Sequence, residues 1–302
     1  MNTYMRFFIN GIIFLIILFA FDQVTGRILK HFYFTSQSGD NYKTTYSMDS
    51  TKSEIIILGS SRASHHYIPA LIEDSLNLSC FNTGRDGNFL LFSYAIFKSI
   101  LKRHNPKIII LDISSGELQS QGERYYEGLS TLLPYYDDKP ELRKIIELKG
   151  RLEPIKMLSA IYPMNSSILA ILAGNVSGYY ENNTKGYLPL LGSSVLQLKP
   201  EFWQNISGTF DLNKTNAIDS MAFTCNEKNI KFVIIQSPRY AIINDSIADQ
   251  YLENLGEKYS SQYWNFVNDS IFLNNPNLFK DGAHLNDEGA NIFTQKIIQK
   301  LK

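Results

Sequence analysis

Two short stretches of this 302-residue chain hold residues whose types could do chemistry together. One is Glu54-Ile55-Ile56-Ile57-Leu58-Gly59-Ser60-Ser61-Arg62, an apolar run that stops abruptly in Gly-Ser-Ser; the other, near the far end, is Asp281-Gly282-Ala283-His284. A serine hydroxyl is a weak nucleophile near neutral pH until a positioned base takes its proton. Aspartate and histidine three residues apart can lie on one side of a turn, so the carboxylate bonds one ring nitrogen while the other faces a hydroxyl. Ser61, His284 and Asp281 are therefore candidates for nucleophile, general base and orienting carboxylate. Taken singly, each also has a plainer reading: a helix cap, a structural histidine and a loop charge. His65 and His66, one turn beyond Ser61, read as an exposed helix face and would serve as base only if His284 were remote.

Such groups meet only if the fold brings the two ends together. The Ile55–Leu58 run reads as a strand buried on both faces, followed by a helix over Tyr67 to Asn77 with Ile68, Leu71, Ile72 and Leu76 at helical spacing. Ser79–Asn82 reads as a second strand, Phe89–Leu101 as an apolar helix and Lys107–Asp112 as a third strand. The alternation resumes with a helix over 213–229, a strand over 230–236, a helix over 246–259, a strand over Trp264–Val267 and a helix over 287–301. Strand and helix alternation implies right-handed parallel crossovers. The expectation is an α/β fold, a three-layer, flavodoxin-like parallel sheet of about five strands in the order 2-1-3-4-5. The first strand then flanks the switch point, where ligands bind at the carboxyl ends of strands.

These blocks resemble the SGNH (GDSL-type) serine hydrolase family over about 53–115 and 213–301. The resemblance implies a nucleophile at Ser61, third in Gly59-Ser60-Ser61, although Ser60 stands where the family has aspartate. It also implies His284 as base, Asp281 as its partner, and an oxyanion hole made by the N–H groups of Ser61 and Gly87. Gly87 belongs to Asn82-Thr83-Gly84-Arg85-Asp86-Gly87-Asn88, where two glycines three apart permit a tight loop. After the third strand the chain departs from the pattern, reading Asp112-Ile113-Ser114-Ser115-Gly116-Glu117 without the family's asparagine. Ser114, Ser115 and Asn88 are candidates to replace that donor and contact substrate. Arg62 is either a further substrate contact or one half of a structural ion pair.

Hydrophobic content of 44% and aromatic content of 13% allow a sizeable core, and equal acidic and basic counts of 29 each give no nucleic-acid surface. Cys80 and Cys225 are expected to be buried free thiols; no cofactor or metal motif is present. Phe7 to Phe21 is almost wholly apolar and lacks a convincing signal-peptidase pattern, so residues 1–30 read as an uncleaved membrane anchor, with a cleaved signal sequence as the alternative, and 31–52 as a polar tether. Residues 53–302 are expected to form the hydrolase-like domain, facing out of the cytoplasm. An insertion or lid over about 116–211 carries helical segments at 138–148 and 155–164. It also carries aromatics suited to sugar stacking or plain packing: Tyr125, Tyr126, Tyr135, Tyr136, Tyr179, Tyr180, Tyr187 and Trp203. The resulting expectation is an ester hydrolase or acyl (acetyl) transferase acting on a cell-envelope glycan, served, if a transferase, by a membrane acyl-donor protein. The alternative is a non-catalytic glycan-binding or assembly subunit.

Overall fold

The computed structural model describes residues 3–120, 126, 128–176, 184–193, 199–204 and 208–302, the side chains of 203 and 204 excepted. Its strands are β1 (Ile55–Leu58), β2 (Cys80–Asn82), β3 (Ile108–Asp112), β4 (Glu201–Gln204), β5 (Lys231–Gln236), β6 (Ala241–Asn244) and β7 (Gln262–Asn265). Its longer helices are α1 (Thr3–Phe34), α2 (Gly39–Asp49), α3 (Ser61–His66), α4 (Pro69–Leu76), α5 (Leu90–Leu101), α6 (Ile168–Gly174), α7 (Leu212–Glu227), α8 (Ser246–Tyr259) and α9 (Asp287–Leu301).

Ile55, Ile56, Ile57 and Leu58 are fully buried because β1 lies inside a parallel sheet. β-Branched side chains on both faces suit a strand covered by helices on either side. The five-stranded sheet has the order β2-β1-β3-β5-β7, every pair parallel, so the expected α/β architecture and strand order are both found. The last strand sits two residues earlier than expected. Phe266 and Val267 carry the apolar signal and are buried, but they follow the strand, whose own residues are only half-buried or exposed at the sheet edge. β4 and β6 form a separate parallel pair that hydrophobic pattern did not suggest. Asn286 caps α9 by accepting from Gly289 N at 3.0 Å, and Asp211 caps α7 by accepting from Asn213 N at 2.8 Å.

The chain divides into two compact units. The sheet belongs to the unit formed by Lys43–Gly128 and Glu181–Lys302; the other joins Met1–Tyr42 to Leu129–Tyr180. Residues 116–211 are thus shared between the units. Within 31–52, read as a tether, α1 runs on to Phe34 and α2 buries Lys43, Thr44, Ser47 and Met48. Arg103 donates to Ser47 O at 2.8 Å and Met48 O at 2.7 Å, and also bonds Thr51 O. A helix held by side-chain bonds to its backbone carries no hydrophobic period for sequence reading to detect. The free thiols Cys80 and Cys225 are both buried.

Candidate active site

Ser61 is placed by the turn that leaves β1. Gly59 has φ +147°, and a Cβ there would lie 2.7 Å from Ala63 Cβ and 2.8 Å from Asp112 O, so only glycine fits. Ser60 is the N-cap of α3 with no side-chain cap bond, and Ser61 is the first helical residue. Backbone N–H groups of a first helical turn have no acceptor within the helix.

The far end of the chain meets this turn. Ser61 Oγ lies 2.8 Å from His284 Nε2, and His284 Nδ1 lies 2.9 Å and 3.0 Å from the two oxygens of Asp281. Asp281 Oδ1 also accepts from Ala283 N at 2.8 Å and His284 N at 3.0 Å, an arrangement that fixes the loop as well as the ring. Burial acts to raise this carboxyl, but the hydrogen bonds from His284 and from the two N–H groups outweigh it and hold Asp281 below the ordinary range. An ionised Asp281 can only accept, so Nδ1 carries the ring proton and Nε2 presents a lone pair to the Ser61 hydroxyl. That is the protonation pattern a general base requires.

The loop after β2 packs against the same helix. A Cβ on Gly84 would lie 2.5 Å from Ser64 N, and Gly84 N is already engaged with Asn82 Oδ1 at 3.0 Å, so this glycine serves close packing. Gly87 differs, with φ +70° and open space where a Cβ would be. Asn88 Nδ2 donates to Asp86 O at 3.0 Å, Ser115 Oγ to Gln236 Oε1 at 3.0 Å, and Ser114 N to Glu117 Oε2 at 2.8 Å. These bonds tie the three residues to their own loops and to β5.

Arg62 matches the structural ion pair. It is buried; Nη2 lies 3.2 Å from Asp112 Oδ1 and donates to Ile113 O at 2.7 Å. His65 and His66 are also buried, which corrects the reading of an exposed face. The helix is six residues long, too short to display a period, and both rings are held by bonds formed across the fold. His66 Nε2 accepts from Leu285 N at 3.0 Å and Nδ1 donates to Ser237 Oγ at 2.9 Å. Burial, aided by Arg62 and the neighbouring histidines, pushes His66 well below its ordinary value and keeps it neutral.

His65 faces two acceptors: Leu188 O at 2.6 Å from Nδ1 and Asp86 Oδ2 at 3.0 Å from Nε2. Burial opposes charge on this ring, yet the bonds to Asp86 and Leu188 outweigh it and raise its pKa, while Asp86 is correspondingly lowered against its own burial. The His65 ring stands edge-on to His284 with centroids 5.6 Å apart. His65 thereby ties the helix of Ser61 to the loop of Gly87, a role that sequence reading missed.

Residues 184–191 form a strap within the sheet unit. Lys185 O accepts from Asn82 N, Leu188 N donates to Ser64 O, and Leu190 O accepts from Asp287 N, at 3.0, 2.9 and 2.9 Å. Tyr187 OH donates to Asp287 Oδ1 at 2.7 Å. The strap therefore joins the end of β2, α3 and the start of α9. Among the other insertion aromatics, Tyr126 OH donates to Asp211 Oδ2 at 2.5 Å and Tyr136 OH to Glu147 Oε1 at 2.7 Å, while Tyr135 is fully buried. Tyr125, Tyr179, Tyr180 and the Trp203 side chain lie outside what is described.

The sequence matches no protein-family model and no curated protein. Among solved structures the chain is similar to a Bacteroides fragilis protein provisionally designated an acylhydrolase. Identity is 10%, over 82% of this chain and 86% of that one, with a TM-score of 0.38. A likeness of that size transfers neither fold nor activity.

Proposed function

We propose that this chain is a membrane-anchored, serine-dependent ester hydrolase or acyl transferase of SGNH type. Ser61 attacks an ester carbonyl, His284 takes the hydroxyl proton through Nε2 and returns it to the leaving alkoxide, and Asp281 holds the ring and its charge. The N–H groups of Ser61 and Gly87 receive the developing oxyanion; each such donor is worth about 3 kcal/mol in an acyl-transfer transition state. The observation that carries the proposal is the 2.8 Å contact between Ser61 Oγ and His284 Nε2, with Asp281 fixing the opposite nitrogen. Those groups are separated by most of the chain, and a purely structural histidine would not need its free lone pair aimed at a helix-start serine.

The substrate we propose is a small acyl ester, acetyl in the first instance, on a cell-envelope glycan outside the cytoplasmic membrane. α1 supports the anchor, being 32 residues long with a stretch of mean hydropathy 2.2. If the chain transfers rather than hydrolyses, a membrane partner delivers the acyl group. The alternative, a non-catalytic glycan-binding subunit, draws on the missing side-chain donor after β3. The relay weighs against it, since a binding surface has no use for an activated hydroxyl. The test uses the full-length chain in detergent with a fluorophosphonate probe and an aryl acetate. Wild type should be labelled and turn over, and Ser61→Ala should do neither; equal labelling of both forms would end this assignment.

A further inference from the structure

The apolar run of α1 is short for its task. As a helix, Phe7–Phe21 spans about 22 Å, against a hydrocarbon layer of about 30 Å. Arg6 marks the near end, so the missing length, about five residues, carries the far boundary of the layer to the neighbourhood of Gly26. That stretch contains Asp22 and Gln23, which by themselves would be costly in lipid.

Both are covered by the insertion. Asp22 accepts from Ser159 Oγ at 2.5 Å, Ala160 N at 2.7 Å and Ile161 N at 3.4 Å, and Gln23 Nε2 donates to Leu158 O at 3.1 Å. One turn on, a Cβ on Gly26 would lie 2.2 Å from the Ala160 carbonyl carbon, so the two backbones are in direct contact. The segment that satisfies Asp22 carries exposed apolar side chains, Leu152, Ile155 and Leu158 at 59%, 63% and 70%, beside two exposed cations, Arg151 and Lys156, that can reach headgroups. In α6, Leu169 and Leu172 are 81% and 61% exposed, while Asn175 Nδ2 donates to Phe32 O at 2.9 Å.

α1 has a second bare surface. Asp22, Gly26, Lys30 and Tyr33 share the face turned to the insertion, whereas Phe21, Val24, Ile28 and Phe32 recur at helical spacing on the opposite face, 45% to 64% exposed. One partner helix could cover that stripe or the outside of the insertion, but not both. A bilayer surrounds the helix and reaches both, its hydrocarbon covering Phe21 and Val24 and its headgroup layer beginning near Gly26.

We propose that Met1–Tyr42 and Leu129–Tyr180 form a composite membrane anchor in which the segments around Leu152–Leu158 and Ile168–Leu172 lie in the lipid beside α1. The proposal rests on α1 being a membrane span, as in the preceding section. Asp22 enters the layer with its hydrogen bonds already made by the insertion, and exposed Arg27, about 9 Å beyond Phe21, meets the headgroups.

The test is depth-dependent quenching of the full-length chain in phosphatidylcholine and phosphatidylglycerol vesicles. The native cysteines are buried, so an environment-sensitive fluorophore can be placed through Phe14→Cys, Leu158→Cys, Leu172→Cys or, as an aqueous control, Glu253→Cys. Nitroxide-bearing phospholipids should quench labels at 14, 158 and 172 severalfold more than at 253, with iodide showing the reverse order. If 158 and 172 behave like 253 while 14 is lipid-quenched, α1 alone is the anchor and the composite is wrong. If 14 also behaves like 253, the anchor reading falls with it. Labels at 158 and 172 shielded from both quenchers would mean that protein covers this surface, which also overturns the proposal.

Discussion

Among its described residues the sheet unit holds two sets of serine, histidine and aspartate, and in only one does the histidine turn a free ring nitrogen to its serine. In the outer set, Asp281 accepts the Nδ1–H bond of His284 and leaves Nε2 to accept from Ser61. In the inner set, Leu285 N donates to His66 Nε2, so Nδ1 carries the proton and donates to Ser237 Oγ, while Arg62 joins Ser237 O to Asp112 Oδ1. His66 therefore donates to its serine and cannot take a proton from it. Exposure differs as sharply: the His284 and Asp281 side chains are 23% and 52% exposed, whereas His66 and Ser237 are both at 0%. Residue type does not make a nucleophile; the direction of the hydrogen bonds and access to substrate do.

Each set can be broken in a way that leaves the other standing. Asp281→Asn should have the largest effect. The amide presents its NH2 group to Nδ1, favours the wrong tautomer, and should lower kcat on the order of 10⁴-fold in a stopped ester assay without loss of fold. A fall of less than tenfold would mean that Asp281 only pins the loop. Arg62→Met strikes the inner set by leaving Asp112 buried without its ion-pair partner. It should cost about 3–5 kcal/mol in denaturant unfolding, with the activity of the surviving folded protein largely kept.

Ser237→Ala strands the Nδ1–H of His66 and should cost about 1–3 kcal/mol of stability while leaving fluorophosphonate labelling intact. Lost labelling in a folded Ser237→Ala protein would show that the two sets are one machine. The smallest effect concerns His65. Its pKa is raised above the ordinary 6.5, so its stabilisation is complete below that pH and is lost as pH rises through the raised value. Asp86 is lowered below 3.8, so its share is present above that pH and is lost only as pH falls through the lowered value. The melting-temperature advantage of wild type over His65→Gln should therefore be greatest in mildly acidic solution and shrink toward alkaline pH. A pH-independent difference would remove the charged pair from the account.

Much of the sheet unit is legible in the chain because its signals are local. β1 is an unbroken run of isoleucine and leucine, β3 is one up to its final Asp112, and α8 and α9 begin and end at the expected residues. Ser61, His284 and Asp281 were legible for a related reason: the Asp281-to-His284 spacing closes a turn on itself, and Gly59 before Ser61 marks a sharp exit from a strand. The short, polar or edge elements were not legible. α2, α3 and the 184–191 strap carry no hydrophobic period, and β7 is displaced from the aromatic residues that announced it.

What the sequence alone determined is the order of strands and helices and the two ends of the outer relay, since both follow from patterns within a few residues. What only the tertiary structure decided is the fate of polar residues whose partners lie far along the chain. Arg62 became half of a buried pair through Asp112, His65 a clasp through Asp86 and Leu188, His66 a donor through Leu285, and Asp22 a satisfied carboxylate through Ser159 and Ala160. The physical reason is that a polar side chain takes its role from whatever completes its hydrogen bonds once water is removed, and in this protein those groups come from distant parts of the chain.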